Sequence, residues 1–145
     1  MKVEPGERIL TVLWIGSLWT IGYIVAPTLF HVLEDRMLAG MLAGRLFSIE
    51  SYLGLVCGMV LLLADLANGQ PGRRFTWRTG LLMAMLTIIV ISEFLIRPLL
   101  VDLKAQGASQ GADFARLHGI SAILSLANSL LGLGWVVFGN RHQGS

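Results

Sequence analysis

The sequence predicts an all-α integral membrane protein, an antiparallel bundle of four transmembrane helices. Of its 145 residues, 54% are hydrophobic and only 14% are charged, and the mean hydropathy is +0.70. In an ordinary soluble domain roughly a quarter of the residues are charged. A chain this short could not hide so much apolar surface in a soluble core, whereas a lipid bilayer removes the need to hide it.

Four hydrophobic segments are each long enough to cross the hydrocarbon core, which requires about 20 mainly apolar residues. The predicted spans are residues 9–30, 42–66, 80–103 and 117–139. We therefore expect residues 1–145 to form a single membrane domain, in which no internal repeat is evident. Residues 69–72 read Gly-Gln-Pro-Gly and break the chain after the second span. Asp113 is the expected N-cap of the fourth helix.

The distribution of positive charge favours one orientation in the membrane. Four spans place both termini on one side, together with the loop between the second and third spans, and this side has six Lys and Arg residues against five on the other. The six are Lys2, Arg8, Arg73, Arg74, Arg78 and Arg141. The positive-inside rule then places both termini in the cytoplasm of a bacterial inner membrane. Trp14, Trp77 and Trp135 would form part of an aromatic belt at the cytoplasmic interface.

Small residues recur at helical spacing, which allows helices to approach closely in lipid. They are Gly40, Gly44, Gly54 and Gly58 in and before the second span, and Ser121, Ser125, Ser129 and Gly132 in the fourth. We interpret these stripes as packing surfaces of a compact bundle.

Ionisable side chains inside the spans are the candidate functional residues. A charge at mid-membrane costs about 2.5 to 3.5 kcal/mol on insertion scales, so such groups face the bundle interior and find partners. Glu93 and Arg97 have the favourable i,i+4 order for an ion pair, and Glu50 precedes Gly54 by one turn. The predicted ligand-binding or ion-binding residues are Arg45, Glu50, Glu93, Arg97, His118 and Ser121. By the predicted topology these interior polar groups all lie in the half of the bundle away from the termini. They either bind a ligand or only fix the register of the helices.

His31 and His118 are candidate metal ligands, because two histidines at one depth on different helices can hold haem iron or a metal ion. Met37 and Met41 would add sulfur suited to copper(I). The chain has no HxxxH or CxxC motif, and Cys57 is its single cysteine. The cofactor is therefore left open between none, haem and copper.

Other classes of protein have little support in the sequence. No nucleophile with a neighbouring base and no Gly-rich phosphate loop stands out, which argues against an enzyme. The pI near 9.1 does not indicate nucleic acid, because the basic residues are scattered between hydrophobic segments. The expected partner is the lipid bilayer, with a homo-oligomer or a larger membrane complex as further alternatives.

Four segments, one in each span, carry a family resemblance. They read LWIGSLWTIGYIVAPTLF, GRLFSIESYLGLVCG, SEFLIRPLL and FARLHGISAILSLANSLLGL. Together they resemble a family of small bacterial four-span membrane proteins of unknown function, which is similar to the eukaryotic transmembrane-protein-205 group. The resemblance implies the four-helix fold and brings no activity. The positions it emphasises are Trp14, Pro27, Phe30, Arg45, Phe47, Glu93, Pro98, His118 and Ser121.

The first span is also similar, more distantly, to CopD-type copper-resistance domains and to HemJ-type protoporphyrinogen oxidases. Both are multi-span helical membrane proteins. A HemJ-like protein is expected to carry a histidine early in that span, and residues 10–18 contain none. Copper handling would depend on His31, Met37 and Met41.

Three functional hypotheses follow from the sequence. In the first, the polar cluster binds or conducts a small solute, an ion or a proton, and Glu50 and Glu93 take up the positive charge. In the second, the chain is a haem-binding or copper-handling redox protein that uses His31 and His118. In the third, it is an accessory subunit of a larger membrane complex.

Overall fold

The structure, a computed structural model, describes residues 5–68 and 76–139. Four of its helices are long and apolar enough to cross a membrane. They are Pro5–Val32, Arg36–Ala67, Trp77–Ala105 and Ala112–Gly139, numbered here as the first to fourth helix. They pack as an antiparallel bundle, so the predicted fold class is confirmed and the chain is a multi-pass membrane protein.

The helices extend beyond the predicted spans, because polar residues at their ends continue the helix past the apolar stretch. The first three helices are longer than predicted at both ends, and the fourth begins earlier. The predicted chain break at 69–72 lies outside the described residues. So do four of the basic residues used to predict orientation, which are Lys2, Arg73, Arg74 and Arg141.

Polar caps set two of the helix starts. The Asp35 carboxylate accepts hydrogen bonds from two backbone N–H groups in the first turn of the second helix, at 2.8 and 3.2 Å. Thr76 and Thr79 form a reciprocal capping box at the start of the third helix. The prediction that Asp113 caps the fourth helix is wrong, because that helix already begins at Ala112. Asp113 lies in its first turn, where a negative charge still interacts favourably with the helix dipole.

The first and third helices each contain one π-helical turn that ends two residues before a proline. The turns are Ile21–Val25, ahead of Pro27, and Ile91–Ile96, ahead of Pro98. In a regular α-helix the proline ring clashes with the carbonyl four residues earlier. A π turn is one residue wider, so each helix accommodates its proline and continues across the membrane.

Trp14 fills a space that two glycines of the second helix leave open. A Cβ atom on Gly54 would lie 2.5 Å from Trp14 Nε1, and one on Gly58 would lie 2.8 Å from Trp14 Cη2. This predicted pair of glycines is therefore a close packing surface. The earlier pair is not, because a Cβ on Gly44 would meet no atom within 4 Å and one on Gly40 would make only ordinary contacts.

The tryptophans do not all occupy the positions predicted for an aromatic belt. Trp14 and Trp135 are 1% and 6% exposed and belong to the hydrophobic core, whereas belt residues face lipid headgroups. The prediction that these two rings face lipid headgroups in an aromatic belt is wrong, because the packing of the bundle encloses them. Trp77, at the start of the third helix, is exposed as the prediction requires.

The two helical hairpins, formed by helices one and two and by helices three and four, repeat one packing pattern. A glycine in the second helix and a glycine in the fourth helix each pack against one residue from the first helix and one from the third. The contacts are those of Gly58 with Trp14 and Leu86, and those of Gly132 with Ile15 and Met85. Trp14 of the first helix is thus equivalent to Met85 of the third, and Ile15 is equivalent to Leu86. The π turns occur at matching places in these two helices. This is the pattern of an approximate two-fold axis along the bundle.

The hairpins approach each other most closely in the half of the bundle that contains the chain termini, which we call the termini half. Close backbone contacts between hairpins are concentrated along Pro5–Thr20 of the first helix and Trp77–Val90 of the third. In the other half, the loop half, each helix contacts mainly the other helix of its own hairpin. Side chains therefore connect the hairpins there.

Replacement of Gly58 by alanine tests the close packing. The added methyl group would lie 2.8 Å from both Trp14 and Leu86, and we expect this overpacking to lower the free energy of unfolding by about 1–3 kcal/mol. Gly16→Ala is the matched control, because a Cβ there meets no atom within 4 Å. We expect the control to be neutral or to stabilise by up to about 1 kcal/mol. Unfolding by SDS, followed by circular dichroism, measures both, and equal effects would contradict the packing.

Candidate functional site

Glu93 lies in the π turn of the third helix and is 8% exposed. Its Oε1 atom accepts a hydrogen bond from Ser48 Oγ of the second helix. The same oxygen lies 3.4 Å from Arg97 Nε, so the ion pair predicted at i,i+4 is present. Glu93 is thus bound both within its own helix and across to the other hairpin.

Arg97 makes a second connection between the hairpins. Its Nη1 atom donates a hydrogen bond of 2.5 Å to the carbonyl oxygen of Gly44 in the second helix. A guanidinium group presents several donors in a fixed plane, so one side chain pairs with a carboxylate and a backbone carbonyl at once. The Arg97 side chain is 30% exposed, which places this contact at the edge of the bundle interior.

Glu50 is the least satisfied polar residue of the region. It is 4% exposed, and its Oε1 atom has no hydrogen-bond partner among the described residues. Its carboxyl group lies within electrostatic reach of Glu93. A buried polar group without a partner is energetically costly, so this oxygen is a place where a ligand that carries positive charge would be stabilised. We call Ser48, Glu50, Glu93 and Arg97 the carboxylate site.

The other predicted site residues are not brought to the carboxylate site. Arg45 is exposed and makes no hydrogen bond or ion pair with any described residue. His118 is exposed, and its ring stacks on Phe114 of its own helix with centroids 6.0 Å apart. Ser121 is half-buried and makes no hydrogen bond within the described part of the chain.

The predicted metal ligands lie near helix ends in the loop half. His31 is exposed near the end of the first helix, and Met37 and Met41 are exposed at the start of the second. The described residues contain no group of three or more His, Cys, Asp or Glu side chains that could hold a metal ion. Ligation of haem or copper by His31 and His118 stays a prediction.

Polar contacts also occur in the termini half, which the sequence predicts to be apolar. Thr79 Oγ1 donates a hydrogen bond of 2.5 Å to Asp65 Oδ2, joining the third helix to the second. The Arg78 guanidinium carbon lies 4.6 Å from the centroid of the Trp135 ring. The prediction of one apolar half is therefore wrong, because helix ends in this half bring polar side chains into contact.

Ser48, which donates a hydrogen bond to Glu93, was not among the residues predicted from the sequence. A signal was present, since Ser48 is a polar residue inside an apolar span two positions before Glu50. The Gly44 carbonyl could not be found in this way, because every residue has a carbonyl group and only the fold selects this one.

Arg97→Lys tests the double contact of the guanidinium group. A lysine has one nitrogen and cannot reach Glu93 and the Gly44 carbonyl together, so we expect the free energy of unfolding to fall by about 1–2 kcal/mol. Arg45→Lys is the control and should change it by less than about 0.5 kcal/mol. SDS unfolding of both variants measures the difference, and a neutral Arg97→Lys would show that the contacts contribute nothing.

Comparison with known proteins identifies a family for the chain. No curated protein and no solved structure matches it. The expected similarity to the transmembrane-protein-205 group and to CopD-type and HemJ-type domains stays a prediction. A family model described as a domain of unknown function, DUF4149, matches residues 9–109. The match covers the first three helices almost completely and includes the whole carboxylate site. The chain therefore belongs to the DUF4149 family of domains of unknown function.

Proposed function

We propose that the carboxylate site binds one monovalent cation or one proton and that the protein conducts it across the membrane. The observation that carries this proposal is the buried Oε1 atom of Glu50, which has no partner among the described residues. The charge of the site and its position between the hairpins also support the proposal.

The charge of the site favours a ligand with a single positive charge. Glu50 and Glu93 supply two carboxyl groups, and Arg97 supplies one guanidinium group that is already paired with Glu93. With both carboxyl groups ionised, the site has one net negative charge. Inside a bundle an uncompensated charge is costly, and one proton or one monovalent cation removes it.

The position of the site favours conduction over static binding. The contacts of Ser48 with Glu93 and of Arg97 with Gly44 join the two hairpins in the half where their backbones are not in close contact. In transporters built from two repeats, substrate and ion sites lie near mid-membrane between the repeats, where helices depart from regular α-geometry. The π turn that holds Glu93 is such a departure, and π turns are frequent at functional sites.

A purely structural polar network explains Glu93 and Arg97 but not Glu50. A buried network that only fixes helix register is stable when every member has a partner. Glu50 Oε1 has none among the described residues. The hypotheses of a haem-binding or copper-binding protein and of an accessory subunit are not favoured by any contact within those residues.

Glu50→Gln tests the cation site. We expect the full-length protein in lipid nanodiscs to bind Li⁺, Na⁺ or K⁺ in isothermal titration calorimetry, with choline chloride as the inert salt. Glu50→Gln removes the net negative charge and should weaken this binding by about tenfold or more. Asp65→Asn is the matched control, because Asp65 is the carboxylate of the termini half and pairs with Thr79. Its cation affinity should match that of the unmodified protein.

The proton is tested separately in liposomes that contain a pH-sensitive dye. An imposed membrane potential should acidify vesicles with the unmodified protein faster than vesicles with Glu50→Gln. If Glu50→Gln alters neither cation binding nor proton entry, the proposal is wrong.

We also propose that the protein lies in a bacterial inner membrane with both termini in the cytoplasm. This proposal is supported by the small excess of Lys and Arg on that side, six against five. A C-terminal green fluorescent protein should then fluoresce in cells, and a C-terminal alkaline phosphatase should be inactive. The reverse result would invert the orientation and place the loop half at the cytoplasm.

A further inference from the structure

We infer that Trp14 belongs to the carboxylate site, and that its indole N–H group and the free oxygen of Glu50 share one bound water molecule. The functional meaning of this link rests on the proposed cation site. The link itself is argued from two buried atoms, Trp14 Nε1 and Glu50 Oε1, neither of which has a hydrogen-bond partner among the described residues. Both residues are more than nine-tenths buried.

Gly54 places the two atoms near each other. Trp14 Nε1 lies against the Cα atom of Gly54, at 2.5 Å from the position that a Cβ would take. Glu50 precedes Gly54 by one helical turn, and residues four apart on a helix have Cβ atoms about 5–6 Å apart. This spacing supports adjacent places for the Glu50 carboxyl group and the indole nitrogen on the inner face of the second helix.

The two groups are a donor and an acceptor, yet neither has a partner among the described residues, so we expect a molecule that both accepts and donates to join them. The indole N–H only donates, and an ionised carboxylate only accepts. A water molecule accepts from the first and donates to the second, and two such bonds of about 2.8 Å each join heavy atoms up to about 5.6 Å apart. Buried waters are found where two to four polar groups converge in this way. One water thus satisfies two buried atoms together.

This arrangement restricts the form in which a cation enters the site. A bare metal ion cannot accept a hydrogen bond, so it would leave the Trp14 N–H group without a partner. A cation that keeps at least one water of hydration satisfies the indole through that water and Glu50 through its charge. The ligand class is therefore a partly hydrated monovalent cation or a hydrated proton.

The indole signals of the full-length ¹⁵N-labelled protein in nanodiscs test the link. The chain has four tryptophans. The variants Trp19→Phe, Trp77→Phe and Trp135→Phe assign three of the indole ¹H–¹⁵N signals, and the fourth belongs to Trp14. We expect the Trp14 indole proton to show a cross-peak to water and to move upfield in Glu50→Gln, because the loss of the negative charge weakens the hydrogen bond. The Trp135 signal is the matched buried control, and it should not move. Trp14→Phe should also weaken Na⁺ binding by about tenfold, while Trp135→Phe leaves it unchanged.

The outcomes separate this inference from the proposed function. A Trp14 signal without a water cross-peak, or one that Glu50→Gln does not move, overturns the inference even if Na⁺ binds normally. A Trp14 signal that shows both features in a protein that binds neither Na⁺ nor protons supports the water link and removes the proposed function. The test uses spectra of the Glu50→Gln protein, so it does not depend on the folding of Trp14→Phe.

Discussion

The insertion of Trp14 between two glycines of the second helix is the contact on which the rest of the bundle depends. Lipid gives helices no hydrophobic reason to associate, so the bundle relies on such close packing. The indole ring contacts Gly54 and Gly58 within the first hairpin, and Ile89 and Leu86 of the third helix pack on the same two glycines. The hairpins therefore approach each other closely in the termini half. In the loop half the backbones of the two hairpins are farther apart, and polar side chains connect the hairpins there. The carboxylate site therefore occurs where the packing of Trp14 ends.

The prolines of the first and third helices determine how the loop half is built. Each would break an α-helix, and each is accommodated by a π turn. In the third helix the π turn contains Glu93. In the first helix the matching turn contains Gly22 and no acidic or basic residue. The two hairpins thus share a backbone pattern, but only one of them contributes an acidic residue at this turn. An approximate repeat of structure has produced a single site.

The parts of the fold and site that depend on neighbouring residues were predictable from the sequence. The spans follow from hydropathy, the Glu93 and Arg97 pair from i,i+4 spacing, and the inner position of Glu50 from its spacing to Gly54. Contacts between distant segments were not predictable. Met85 and Trp14 occupy equivalent places with unlike side chains, so the repeat leaves no sequence signal at these packing positions. The burial of Trp14 depends on glycines in another helix. Hydropathy alone cannot distinguish such a residue from one at the membrane interface.

The division of the bundle into two halves has a consequence for its rigidity. In membrane proteins an interhelical hydrogen bond contributes about 0.6 kcal/mol on average, which is close to thermal energy. The bonds of Ser48 with Glu93 and of Arg97 with Gly44 therefore contribute about 1.2 kcal/mol together. A molecule that offers Arg97 another carbonyl, or Glu93 another donor, can replace either bond at almost no net cost. Interdigitated rings and glycines in the termini half have no such substitute. The termini half is therefore rigid, whereas the hydrogen bonds that join the hairpins in the loop half can be exchanged for bonds to another molecule.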